Sequence, residues 1–219
     1  MVNQVKKSMV LVFITLLCVT LPFLPLNAQQ AIKFKPGNPN IQYDGRITVK
    51  DTVASIYWPG SSIRLLFQGT SLRIIMKDQG GGNYYSVVLD GDSNFVIKPD
   101  TTYGSYLIYS GSADKQHEIQ VFRRNGYNSG ATWFYGFEGA PATTLGTAPA
   151  RKRSIEFYGN SITVGSGMYP DSAGYGSENN FKSYAALTAR HFQAAYTCIA
   201  RPGIGLMVSW FPMIMPQLY

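Results

Sequence analysis

Across residues 41–139 no stretch carries a sustained 3.6-residue apolar pattern. What recurs instead is a short run of β-branched and aromatic residues closed by turn residues. Residues 63–67 end at Gln68-Gly69, residues 71–76 end at Asp78-Gln79-Gly80, and residues 84–89 end at Asp90-Gly91, a hairpin signal. Residues 94–97, 106–109, 117–122 and 132–137 complete the set. About eight or nine short strands at this spacing predict an all-β sandwich wound as a jelly roll.

The pattern changes after residue 139. Residues 140–152, rich in Ala, Pro, Thr and Gly, read as a connection between domains. Residues 153–158 form an apolar strand that Gly159-Asn160 cuts, with Ser161 directly behind. A loop over 165–180 is rich in Gly, Ser, Asn and Asp. Phe181, Tyr184, Thr188 and Phe192 then recur at helical spacing. Residues 196–200 are a second strand, followed by Arg201-Pro202-Gly203-Ile204-Gly205. Residues 153–219 are thus expected to open a parallel α/β sheet. Ahead of the sandwich, residues 29–40 are polar, hold Pro36 and Pro39, and read as a leader.

The first 28 residues combine Lys6 and Lys7, an apolar run over 9–24 interrupted by Thr15 and Thr20, and a small residue at Ala28. This is the pattern of a secretory signal peptide cut after Ala28, which makes the mature chain secreted or periplasmic, without a stable membrane span. An uncleaved anchor is the alternative, since the run is only slightly short of a span. Cys18 as a lipoprotein acceptor is disfavoured by Leu17, where a small residue is expected.

Lys6 and Lys7 supply two of the seven net positive charges. The remaining cations are scattered, with short clusters at Arg123-Arg124 and Arg151-Lys152-Arg153, which argues against a nucleic-acid partner. Cys198 alone remains after cleavage, so no intrachain disulfide can form, and its apolar strand marks it as core. No His, Cys, Asp or Glu cluster has metal-ligand spacing and no phosphate-binding glycine motif occurs, so neither metal nor cofactor is expected.

A strand stopping at a tight turn that carries a serine is how α/β hydrolases expose a nucleophilic hydroxyl. Gly159 and Asn160 tolerate a left-handed backbone there. A helix starting near Ser161 would aim unpaired N–H groups at a developing oxyanion. The plain alternative is an ordinary strand-to-helix turn with a capping serine. A right-handed β-α-β unit brings the C-terminal ends of both strands to one rim, where α/β folds bind ligands, so Ser161 and Gly203 are expected together. Simple turn chemistry would also explain both glycines, Gly203 and Gly205.

Gly159-Asn160-Ser161-Ile162-Thr163 resembles the first block, G-D/N-S-I-T, of the SGNH (GDSL-like) ester hydrolases. Asp44-Gly45-Arg46, Trp58-Pro59-Gly60-Ser61, Phe67-Gln68-Gly69-Thr70-Ser71-Leu72, Leu89-Asp90-Gly91 and His117-Glu118-Ile119-Gln120-Val121 resemble, in order, pieces of the acetyl esterases of carbohydrate esterase family two. The resemblance covers about residues 41–219. It implies a multi-domain, exported carbohydrate O-acetyl esterase of the acetylxylan-esterase kind, a jelly roll followed by the first part of a three-layer α/β SGNH domain. Its substrate would be an acetylated polysaccharide or oligosaccharide.

By the same resemblance Ser161 is the nucleophile and a Gly203 N–H serves the oxyanion hole. Gly205 is the fallback, because Pro202 stands where a small polar residue is commoner. The family takes its base from a D-x-x-H block and a third oxyanion donor from a G-x-N-D block, and neither occurs here. The apolar residues 210–219 end with no closing strand, so the sequence reads as the front of a longer protein, inactive by itself. The histidines are His117, which matches a structural position in the sandwich, and His191 on the expected helix. Arg123-Arg124-Asn125 replaces the family's commoner Lys-Arg-Thr-Glu run. Glu178-Asn179 resembles a Glu-Asn motif of the family, or caps the helix. Trp58, Tyr84, Tyr85, Tyr103, Tyr127 and Trp133 are either sugar-stacking platforms or, as is commoner in sandwiches, core and strand pairs. The rival function is a carbohydrate-binding or adhesion module with a degenerate hydrolase portion. A peptidoglycan or lipid esterase on the same fold is a third reading.

Overall fold

The computed structural model describes residues 30–168 and 177–218. The expected signal peptide, its cleavage after Ala28, and Cys18 lie outside the described residues, as do residues 169–176 of the expected 165–180 loop.

In chain order the first part comprises β1 (Ile32–Phe34), β2 (Gln42–Asp44), β3 (Ile47–Val49), β4 (Ala54–Ile56), β5 (Ser62–Gln68), β6 (Ser71–Asp78), β7 (Tyr85–Leu89), β8 (Asp92–Ile97), β9 (Gly104–Ser110), β10 (His117–Arg123), β11 (Thr132–Gly139) and β12 (Thr144–Gly146). Four antiparallel pairs nest inside one another: β4 with β11, β5 with β10, β6 with β9, and β7 with β8. The nest folds over so that β4-β11-β6-β9 lie in one sheet and β5-β10-β7-β8 in the other. This is the winding of a jelly roll. Alternation along each strand sends Ile63, Leu65 and Phe67 of β5, Leu72, Ile74 and Met76 of β6, and Ile119 and Val121 of β10 into the space between the sheets. The β7–β8 hairpin turns on Asp90 and Gly91, both at positive φ (51° and 91°), as a two-residue turn of the primed type requires.

The sandwich extends beyond residues 41–139 at both ends. β4 pairs only with residues 132–134 of β11, and β1 continues that ladder on Phe137 and beyond. In the other sheet β2 pairs the first half of β5 and β12 pairs the second half. The expected leader and connection therefore both contribute strands, because strand backbone left open between the sheets' partners must find hydrogen bonds somewhere. Phe34 and Leu145 pack on the sandwich core from these segments.

The second part is β13 (Arg153–Gly159), α1 (Ser161–Val164), α2 (Tyr184–His191) and β14 (Ala194–Ala200). β13 and β14 pair in parallel, from Arg153 beside Ala194 to Gly159 beside Ala200. The helix sits where its spacing predicts, but it buries a different face. Ala185, Ala186 and Ala189 face inward, while Tyr184 and Phe192 are half exposed. The reason is the neighbour. Phe122 from β10 of the sandwich enters this second core and stacks on Tyr196, centroids 6.0 Å apart and planes 10° apart, so α2 must approach on small side chains. Ser183, whose Oγ accepts from the Ala186 N–H, caps α2; Glu178-Asn179 does not. Among the described residues no helix is long and apolar enough to cross a membrane.

Candidate active site

β13 ends at Gly159 because Thr163 folds back over it. A Cβ on Gly159 would collide with the Thr163 side chain. Neither Gly159 nor Asn160 uses the left-handed backbone expected of this turn. Asn160 is extended, at φ −106° and ψ −151°, and its Oδ1 accepts from the Ile162 N–H at 3.1 Å as the N-cap of α1. The left-handed residue is Gly165 (φ 83°), which ends the helix and returns its N–H to the Ser161 carbonyl at 3.0 Å. Ser161 is thus the first residue of α1, partly exposed, and not its cap. One helical turn carries little macrodipole; what it supplies is directed N–H groups.

The Arg201 N–H donates to the Gly159 carbonyl at 3.1 Å, one step past the β13–β14 ladder. The loop bearing Gly203 therefore leaves the sheet at the same rim as Ser161. Gly203 is left-handed (φ 82°), and the Trp210 ring occupies the place of a Cβ. Among the described residues the N–H groups of Ser161 and Gly203 make no hydrogen bond. The Gly205 N–H is instead taken by Ser209 Oγ at 2.9 Å. Arg201 holds the loop against the sandwich: its Nε donates to Asn128 Oδ1 at 3.0 Å and its guanidinium lies 3.9 Å from the Phe211 ring centre.

Neither histidine approaches Ser161. His117 is buried in the sandwich, with Nδ1 2.8 Å from Asp90 Oδ2 and Nε2 2.9 Å from the Tyr109 hydroxyl, and it pins the β7–β8 turn. Burial raises the Asp90 carboxyl, but the His117 hydrogen bond, the Glu118 N–H and the Lys115 charge together hold it below its ordinary range. His191 ends α2, exposed, where the chain enters β14. That is the opposite end of a seven-residue strand pair from Ser161, or roughly 20 Å at 3.3 Å per residue. Cys198 is buried beneath α1, and burial pushes its thiol up to about 11, which removes it as a nucleophile at neutral pH.

Nothing local in the sequence signals that Arg123 is buried. It is fully enclosed, and its guanidinium donates to the carbonyls of Ile56 (2.7 Å), Asn125 (3.1 Å), Gly126 (3.1 Å) and Gly130 (2.7 Å) and to Ser129 Oγ (2.9 Å). It thereby shapes the loop whose Gly126 N–H reaches Glu178 Oε2 at 2.7 Å. Burial raises the Glu178 carboxyl above its ordinary value, despite that N–H and the Arg123 charge. Asn180 completes the join. Its N–H donates to the Arg124 carbonyl, its Nδ2 to the Thr163 carbonyl, and its Oδ1 accepts from the Tyr196 hydroxyl at 3.0 Å. Of the aromatic residues, Tyr85 is core, Trp58 stacks on Tyr127 at 4.9 Å, and Tyr103, largely exposed, lies against Tyr135. Trp210, 91% exposed beside Gly203, is the open aromatic ring at the rim and was not among those the sequence singled out.

Fold and site together define a two-part chain: a jelly roll sharing a core with a β-α-β unit that presents a serine and a left-handed glycine at one rim. Residues 43–149 match the family model described as carbohydrate esterase 2 N-terminal. The chain is 32% identical over 189 residues to the cellulase/esterase CelE of Acetivibrio thermocellus, covering 82% of this chain and 23% of that one. It is 31% identical over 157 residues to an acetylxylan esterase / glucomannan deacetylase of Cellvibrio japonicus, covering 68% and 42%. A solved family two carbohydrate esterase from Clostridium thermocellum, in complex with cellohexaose, superposes with a TM-score of 0.73 at 32% identity, covering 80% of this chain and 56% of that one. The chain belongs to carbohydrate esterase family two, and it spans less than half the length of the two curated relatives.

Proposed function

We propose that this chain is the front part of an exported carbohydrate O-acetyl esterase, with Ser161 as its nucleophile and an SGNH-type α/β domain opening at residue 153. The observation that carries the reading is the rim itself: Ser161 opens α1 beside the Gly203 loop, and among the described residues both N–H groups are unpaired. Ser161 Oγ attacks the acetyl carbonyl, and the N–H groups of Ser161 and Gly203 receive the oxyanion. Each such donor is typically worth about 3 kcal/mol of barrier. Gly203 is preferred to Gly205 because Ser209 already occupies the Gly205 N–H. The sugar hydroxyl leaves, and water then releases acetate from the acyl-serine.

A serine hydroxyl needs a base, and His117 and His191 are both out of reach. The base therefore comes from outside these 219 residues, and this chain alone releases no acetate above background. In the full-length protein, Ser161→Ala should abolish acetate release from acetylated xylan or mannan while the melting temperature holds. Retained activity sinks the nucleophile assignment. The distance of both histidines from the rim is also what favours the rival reading, a carbohydrate-binding module with a degenerate hydrolase portion. That reading gains if the full-length protein retains polysaccharide in affinity electrophoresis yet releases no acetate.

A further inference from the structure

At the end of the parallel strands opposite Ser161 lies a cleft of about 970 Å³, between the outer face of β5-β10-β7 and the start of β13. Arg64, Arg151, Lys152, Arg153 and Arg190 line it, and among the described residues Glu118 is the one acidic residue on its wall. The sequence scatters these cations over 127 positions; the fold gathers them. Arg64 is satisfied: it bonds Asp44 (2.9 Å), Gln42 (3.2 Å) and the Pro149 carbonyl (3.4 Å), with Glu118 at 3.5 Å. Arg151 is held less tightly. Its Nε forms an ion pair with Asp44 Oδ2 at 3.9 Å, and its guanidinium makes no hydrogen bond among the described residues.

Arg190 is fixed in place by the Phe181 carbonyl (2.6 Å) and the Phe181 ring, while its buried Nη1 makes no hydrogen bond among the described residues. Burial first, and then repulsion from Arg64, depresses the Arg151 pKa; burial, and then repulsion from Arg151, depresses that of Arg190. Partly buried guanidiniums crowded on one wall repel one another, and an anion in the cleft relieves that repulsion.

We propose that this cleft binds uronate units of an acidic polysaccharide, at a site distinct from the Ser161 rim. Guanidinium forks match a carboxylate. The cleft is far larger than one inorganic anion, and its wall also carries the half-exposed Phe192 ring, suited to a pyranose face, and the amide of Gln120 for hydroxyls. The site does not depend on the serine chemistry, so its test uses binding alone.

Full-length protein is titrated calorimetrically with trigalacturonate, with cellotriose as the neutral trisaccharide, and with inorganic phosphate. Trigalacturonate is expected to bind, more weakly as salt rises. Arg151→Gln should raise its Kd about tenfold, the loss of one charge-assisted fork. Lys152→Glu, at an exposed residue, should raise it as well, and it keeps the test alive if the first variant fails to fold. Cellotriose affinity should not change in either variant. No binding of trigalacturonate, an affinity indifferent to both substitutions, or phosphate binding as tightly as the trisaccharide would each overturn the proposal.

Discussion

The ring of Tyr196 in β14 occupies the space where a side chain on Gly60 would have to go, and Asn180 Oδ1 would lie 2.6 Å from the same Cβ. The two parts of the chain therefore meet with no layer between them. Gly60 belongs to the sandwich, Tyr196 to the parallel pair, and Phe122 stacks on that same tyrosine. Gly60 is also left-handed, at φ 74°. Gly60→Ala adds backbone strain to overpacking, and should cost about 2–4 kcal/mol. Urea unfolding followed by tryptophan fluorescence checks this. A loss below about 1 kcal/mol would mean the two parts separate easily.

Arg123 is the second strut of the same joint. Its five hydrogen bonds fix residues 125–130, and Gly126 hands the connection on to Glu178. Arg123→Met leaves those carbonyls buried and unpaired. The expected cost is about 3–5 kcal/mol, in the range for removing one member of a buried charged network. Arg123→Lys should recover little, because an ammonium cannot span the same four carbonyls. Thermal melts of the two variants side by side decide it.

These two residues also mark what could be read in the sequence and what could not. The long strands were legible because Gly, Asp and Asn announce their ends locally, as at Asp90-Gly91. β1 and β12 were not: three residues carry no period, and they are strands only because β11 and β5 have ladder to spare. The helix was legible but its inward face was not, because Phe122, more than sixty residues upstream, decides that alanines must face it. At the candidate site, Gly159-Asn160-Ser161 signalled the turn correctly for a partly wrong reason. Gly159 is required by the close approach of Thr163, and the left-handed residue is Gly165. In the sequence Arg123 is one of a scattered set of charges, since nothing local reveals that four carbonyls converge on it.

Cys198 offers a direct probe of the second core. Its thiol is buried beneath α1, and burial pushes its pKa up to about 11. In a chain starting at Gln29 it should resist a disulfide reagent at pH 8 while folded, and react fully in urea. Fast labelling of the folded chain would show that β14 is open to solvent, against the packing described.

Glu178 gives the joint a pH dependence of definite sign. Its carboxyl is raised, chiefly by burial, so the folded chain holds that proton more tightly than the unfolded chain does. The stability this supplies is complete below the ordinary glutamate range, about 4.3, and is lost as pH rises through the raised folded value. Glu178→Gln keeps an oxygen for the Gly126 N–H and removes the charge. Its melting temperature should therefore exceed that of the parent at pH 7, and the gap should close as the pH is lowered toward 4. A gap that widened on acidification would mean the ionised carboxylate is the favoured form, held by Arg123 against its burial.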